Sequence, residues 1–149
     1  MLAELDATLL VLFAFVFGLM IGSFLNVVIY RLPKMMERQW EREALAITNP
    51  DAAAAPREEE AFNLLVPRSR CGQCGQAIVW YENIPISSYL LLRGLCSACS
   101  ARISFRYPMV ELITAVLAAY CAQRWGLTLV GLAWFGFCAA LLTLALIDF

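Results

Sequence analysis

Four of the six cysteines in the 149-residue chain fall in two pairs of equal spacing: Cys71 and Cys74 in "CGQCG", then Cys96 and Cys99 in "CSAC", with 21 residues between the pairs. Cysteines at this spacing supply two corners of a tetrahedron from one tight turn, and Gly72 and Gly75 ease the first of those turns. Four thiolates suit zinc, whose filled d shell imposes no other geometry. A redox dithiol is the rival reading, and sequence alone leaves iron open. Four protein ligands close the coordination sphere, so a metal held in this way staples a small loop-rich domain and performs no hydrolysis. Cys121 and Cys138 sit in apolar stretches at no ligand spacing and read as packing residues.

Histidine is absent from the chain, so neither a Ser-His or Cys-His nucleophile pair nor a histidine-ligated hydrolytic zinc can be built. Lys34, the one lysine, follows Pro33 and is poorly placed for a Ser-Lys dyad. Acid–base chemistry therefore falls to carboxylates, and two of them stand against apolar runs. Asp148 closes "LLTLALIDF", either as an interfacial residue where a helix leaves the membrane or as an acid working at the membrane's edge. Glu111, in "RYPMVELITA", is either an acid favoured at a helix start by the dipole or a carboxylate facing the same interior as Asp148. In "GLMIGSFLN", Gly18 and Gly22 are four apart, the spacing that lets two helices approach closely. Ser23 and Asn26 can then hydrogen-bond across the contact, or Asn26 can line a polar cavity.

The elements that must carry these residues are membrane helices. Hydrophobic residues make up 62% of the chain and the mean hydropathy is +0.71, beyond the range of an ordinary soluble domain. Ala7 to Tyr30 is 24 residues without a formal charge and Leu127 to Ile147 is 21, each long enough to cross about 30 Å of hydrocarbon. Tyr107 to Gln123, 17 residues interrupted by Glu111, is taken as a further span between them. The leading residues carry Glu4 and Asp6 where a signal peptide would be basic. Ten of the eleven Lys and Arg residues lie between the first two spans, which assigns that segment to the cytoplasm by the positive-inside rule and brings Asp148 to the inner face. The expected fold class is thus an α-helical integral membrane protein with three transmembrane helices and a cytoplasmic zinc-knuckle loop domain. Residues 1–30 hold the periplasmic N-terminus and first span, 31–106 the cytoplasmic domain, and 107–149 the second and third spans. Within the loop domain Lys34 to Ile47 is charged and helix-prone. "NPDAAAAPREEE" reads as a mobile connector, with Glu58, Glu59 and Glu60 as a solvated face. The lipid bilayer is an expected partner and nucleic acid is not.

"GSFLNVVIYRLP" (Gly22 to Pro33), "CGQCGQAIVWYENIPISSYLLLRGLCSAC" (Cys71 to Cys99), "RYPMVELITA" (Arg106 to Ala115) and the closing "ALIDF" together resemble the bacterial type IV prepilin peptidases, membrane aspartic proteases of pilus and type II secretion systems. The resemblance implies a bifunctional inner-membrane enzyme. It would cleave the leader from prepilins and pseudopilins at the cytoplasmic face, then N-methylate the new terminus with S-adenosylmethionine. It further implies that Asp148 is the first of two catalytic aspartates; the second belongs to a Gly-x-Gly-Asp motif that these residues do not contain, so the chain is expected to be the N-terminal part of the enzyme, ending within or just past its third span. Gly94 matches a glycine of the family's methyl-transfer region, against the plainer reading of a turn beside the metal site. Asn26 and Glu111 are further candidates for methyl transfer or for structure. The alternative from another class is a non-catalytic membrane anchor whose zinc module binds a partner protein.

Overall fold

The computed structural model describes residues 2–48 and 62–148, so the expected connector at 49–60, with its three glutamates, lies outside the described residues, as does Phe149. Four α-helices carry the described chain: α1 (Leu2–Thr48), α2 (Ser87–Leu91), α3 (Arg106–Trp125) and α4 (Leu129–Ile147), with a 3-10 turn at Trp80–Asn83. The first of these does not stop at Tyr30. It runs for 47 residues through Pro33, so the apolar run and the charged run beyond it form one rod. A proline inside a helix removes one backbone donor but leaves the bonds of its neighbours available, which is how the rod continues.

Among the described residues, α1 from Asp6 onward and α4 are long and apolar enough to cross a membrane, and 17% of the apolar window of each is buried. Leu12, Phe13 and Met20 on α1, with Leu132, Phe137 and Leu144 on α4, face outward as a lipid-facing surface would. The middle helix forms where a span was expected, but it carries Glu111 within it and Arg124 at its end and does not reach the same apolarity.

The main contact is the seam between α1 and α3, with α4 docked less extensively on both. Small residues make the seam close. A Cβ on Gly18 would stand 2.6 Å from the Ala115 Cα, and one on Gly22 would stand 2.6 Å from the Glu111 Cα. The packing reading of that glycine pair therefore holds, and Val110, Thr114 and Ala115 are buried against it. Asn26 Nδ2 crosses the seam to donate to the Tyr107 carbonyl at 3.0 Å.

α3 ends at Gly126 and α4 begins at Thr128, whose hydroxyl accepts from the Gly131 N–H at 3.2 Å, so the turn expected at 124–126 is present. Trp125 stacks on Trp134 across that turn with ring centroids 6.0 Å apart. At the opposite end the Arg106 guanidinium, opening α3, donates to the Leu146 carbonyl near the close of α4. Asp148 consequently ends up at the end of the bundle where Asn26 meets Tyr107.

That end carries a turret of irregular chain, residues 62–105. Two buried charges tie it down. Arg31, 7% exposed on α1, donates to the Asn63 carbonyl at 2.8 Å and the Pro67 carbonyl at 2.5 Å, while the Phe62 ring packs under Arg31 and Arg38. Glu111, on α3, accepts from the Ile86 N–H at 2.7 Å.

Candidate metal centre and adjoining cavity

The turret is built from one small unit used twice, 25 residues apart. In the first copy Cys71 N donates to the Gln76 carbonyl at 2.8 Å, Gly75 N to the Cys71 carbonyl at 2.9 Å, and Ile78 N to the Ser69 carbonyl at 2.8 Å. Its second copy repeats the pattern: Cys96 N to Ala101 at 2.9 Å, Ser100 N to Cys96 at 2.9 Å, and Ile103 N to Gly94 at 2.7 Å. One isolated antiparallel bridge closes each, Arg70 with Ala77 and Leu95 with Arg102. Turning the chain back after the second cysteine needs a left-handed residue, supplied by Gly75 at φ 72° and by Ser100 at φ 56°.

The two units face each other so that the sulfurs of Cys71, Cys74, Cys96 and Cys99 all lie within 4.8 Å of one another, close enough to share a metal ion. The Cys71 and Cys99 sulfurs are 3.8 Å apart. Four thiolates around one metal at about 2.3 Å stand roughly 3.8 Å from each other, so the spacing fits a tetrahedral thiolate site. Electrostatics points the same way. Backbone N–H groups of Cys74 and Gln73 aim at the Cys71 sulfur and lower its pKa to about 6. At Cys99 the Ala101 N–H also favours the thiolate, but the sulfurs of Cys74, Cys96 and Cys71 oppose it and the thiol is pushed up to about 12. Four crowded thiols cannot all ionise unless a cation joins them.

A cavity of about 550 Å³ opens between α1, α3 and the turret, with Cys71 and Cys96 among its lining, so the cysteine cluster forms part of its wall. Glu111 and Asn26 line it as well, 8% and 9% exposed respectively, together with Tyr89 and Tyr107. The Glu111 carboxylate takes the Ile86 N–H on one oxygen, with the Ser23 hydroxyl beside it. Ile86 has φ 55°, and the 2.5 Å bond from Ser87 N to the Pro85 carbonyl makes it the centre of a tight γ-turn. A β-branched residue in that region costs on the order of 1–3 kcal/mol, and such strain persists where surrounding contacts hold it, as Glu111 does here.

Cys71, Cys74, Cys96 and Cys99 come together. Asn26 does both things weighed for it, bonding across the seam and lining the cavity. Glu111 faces that cavity. Asp148 is the exposed C-cap of α4, at the turret end of the bundle but outside the lining, so the two acids do not share this cavity. Gly94 is buried at φ 69°, and a Cβ there would stand 2.8 Å from the Tyr89 Cζ and Oη. Sequence reasoning missed Tyr89, Tyr107 and Arg31 as site residues. The signal for Tyr107 was available, because it lies four residues before Glu111 on one helix face; none marked Tyr89.

A family model described as the bacterial peptidase A24 N-terminal domain matches residues 16–125. The prepilin leader peptidase/N-methyltransferase of Pseudomonas putida is 50% identical over 135 residues, which is 91% of this chain and 46% of that protein. Proteins of the same name from Burkholderia pseudomallei (strain 1026b) and Aeromonas hydrophila are 44% identical over 150 residues and 52% identical over 116 residues. Those matches cover 98% and 75% of this chain, and 47% and 39% of the relatives, so the chain spans about half their length or less. No solved structure matches it. Because the matched region takes in the glycine seam, both knuckles and the cavity, the chain belongs to the bacterial peptidase A24 family and carries its N-terminal domain.

Proposed function

We propose that this chain is the N-terminal part of a membrane aspartic endopeptidase that removes the leader peptides of prepilins or pseudopilins at the cytoplasmic face and N-methylates the new N-terminus. In this reading α1, α3 and α4 cross the bacterial inner membrane, the turret lies in the cytoplasm, and Asp148 is the first catalytic aspartate. The bond from Arg106 to the Leu146 carbonyl carries the proposal, because it brings Asp148 to the end of the bundle that bears the turret. The aromatic cluster of Tyr120, Trp125 and Trp134 at the other end suits the opposite membrane interface. An aspartic mechanism divides its labour between two carboxylates, one acting as base toward water and the other as acid toward the scissile carbonyl. Asp148, exposed at a helix end, is accessible to such a partner and to a peptide entering from the cytoplasm.

Zinc is the metal proposed for the four cysteines, since the sulfur spacing fits its tetrahedral thiolate geometry and the filled sphere leaves it structural. Its role is to lock the two knuckles face to face and so fix the cavity wall that Cys71 and Cys96 share. For the second activity the methyl donor is S-adenosylmethionine, which supplies an electrophilic methyl on a sulfonium. A largely apolar cavity of this volume, bearing a buried carboxylate and tyrosine rings, is of the size and chemistry that accept such a molecule. Gly94 contributes by leaving room for Tyr89 on that wall.

The test is Asp148→Asn in the complete protein, assayed in membranes for cleavage of a prepilin. Leader removal should be abolished while metal content and membrane insertion are unchanged; cleavage at the wild-type rate would remove Asp148 from the mechanism.

A further inference from the structure

The cavity contains an imbalance that the fold does not resolve. Glu111 is nine-tenths buried, yet its partners are the Ile86 N–H and the Ser23 hydroxyl, and no lysine or arginine among the described residues pairs with it. A buried carboxylate that lacks a cation is costly to keep, and a cavity opening onto it admits one from outside. The neighbouring surfaces suit an organic cation. Tyr89 and Tyr107 line the same space, and aromatic faces beside a carboxylate attract ammonium and sulfonium groups. Tyr30 is already engaged, its ring lying 3.9 Å from Lys34 Nζ.

The lining also carries positive charge, beside the acid Glu82. Arg31, Arg70 and Arg102 belong to it, and Arg31 spends two of its N–H donors on carbonyls while keeping others for a ligand. Gly22 backs Glu111, and Arg31 lies about 13 Å beyond it along α1 at ~1.5 Å per residue, so the two poles are well separated. We propose that this cavity binds an elongated dipolar organic cation, with its sulfonium or ammonium centre against Glu111 and the tyrosines and its anionic part at the arginines. The inference rests on the methyl-transfer reading above, which requires both a sulfonium donor and an amine acceptor, and it assigns Glu111 as the residue that faces the positive centre.

Binding to the complete protein in nanodiscs tests it. The probes are S-adenosylmethionine, S-adenosylhomocysteine, which has a neutral sulfur, and an apolar peptide with a free or an acetylated N-terminus. Glu111→Gln is the decisive variant, because its amide oxygen still accepts from the Ile86 N–H while the charge is gone; unchanged metal content and unchanged hydrogen exchange over 84–90 verify the fold. Glu111→Gln should weaken a cationic probe at least tenfold and leave its neutral counterpart unaffected. A loss confined to S-adenosylmethionine identifies the donor's sulfonium as the occupant, and a loss confined to the free-amine peptide identifies the acceptor. Tyr89→Leu should weaken the same probe several-fold, with Tyr89→Phe restoring it. Wild-type affinity of Glu111→Gln for both cationic probes would overturn the assignment. If the wild-type enzyme methylates its substrate while that variant binds normally, the site is wrong and the function stands; if the wild-type enzyme methylates nothing, the functional reading fails whatever Glu111 binds.

Discussion

The two knuckles share every backbone hydrogen bond described above, and among the positions at which their residues differ, two exchange a glycine for a serine where backbone conformation is at stake. Where the first has Gly75 the second has Ser100, and both are left-handed. Where the first has Ser69 the second has Gly94. At the latter pair the carbonyl does the same work in each copy, accepting from Ile78 or from Ile103. The unit therefore tolerates a side chain there, since Ser69 keeps a backbone outside the left-handed region. Gly94 is needed for something the knuckle itself does not require: a φ of 69° at the exit of α2 and the Tyr89 ring packed where a Cβ would stand. The duplicated part of the turret brings the four sulfurs together, and the part that breaks the duplication shapes the cavity.

The largest effect should come from the shared feature. Cys71→Ser and Cys99→Ser remove one ligand from each knuckle, and both should release the metal and expose residues 62–105 to hydrogen exchange. A structural site of this kind contributes on the order of 10 kcal/mol to folding. Full metal content by mass spectrometry in either variant would contradict the four-thiolate arrangement. The next effect separates the copies. Gly94→Ser should push Tyr89 off the cavity wall and cost about 1–2 kcal/mol of backbone strain, so methyl transfer is lost while metal and leader cleavage are retained. Ser69→Gly, the reciprocal change, should leave both activities intact and cost under about 1 kcal/mol. Equal losses from the two would erase the distinction.

Acidity distinguishes the copies less strongly. Immediately after a chelator strips the metal, while the knuckle turns still stand, Cys71, with its pKa lowered to about 6, is largely thiolate at pH 7, whereas Cys99, pushed up to about 12, stays protonated. Iodoacetamide should therefore modify Cys71 first at neutral pH and lose that preference as the pH falls through 6, where Cys71 takes up its proton. Faster modification of Cys99 would reverse the assignment. The smallest effect is at the left-handed pair: Ser100→Gly should stabilise the turret by about 0.5–1 kcal/mol and Gly75→Ser should destabilise it by a similar amount, read from the temperature of metal release.

What could be read from the sequence was what is local or periodic. The knuckles were legible because their ligands, turns and spacing lie within a few residues of each other. So were the glycine seam and the turn at 124–126, where small residues and a change in polarity mark the structure. The expected first span is bounded at Tyr30, where charge begins, but the helix runs on through Pro33 because the charged run beyond favours helix by itself. The contact between Glu111 and Ile86 was not legible. It joins residues 25 apart through a strained turn at an isoleucine, a type that intrinsic preferences argue against at positive φ. Arg31 likewise looked like one more basic residue in a cytoplasmic segment, and only its burial among turret carbonyls shows what it holds.

The central claim is that cleavage and methylation depend on different acids, Asp148 at the exposed end of α4 and Glu111 in the cavity. The direct measurement is mass spectrometry of a prepilin processed by the complete enzyme carrying Asp148→Asn or Glu111→Gln. The account predicts an uncleaved substrate from the first and a cleaved, unmethylated product from the second. A fully methylated product from Glu111→Gln, or cleavage by Asp148→Asn, would contradict it.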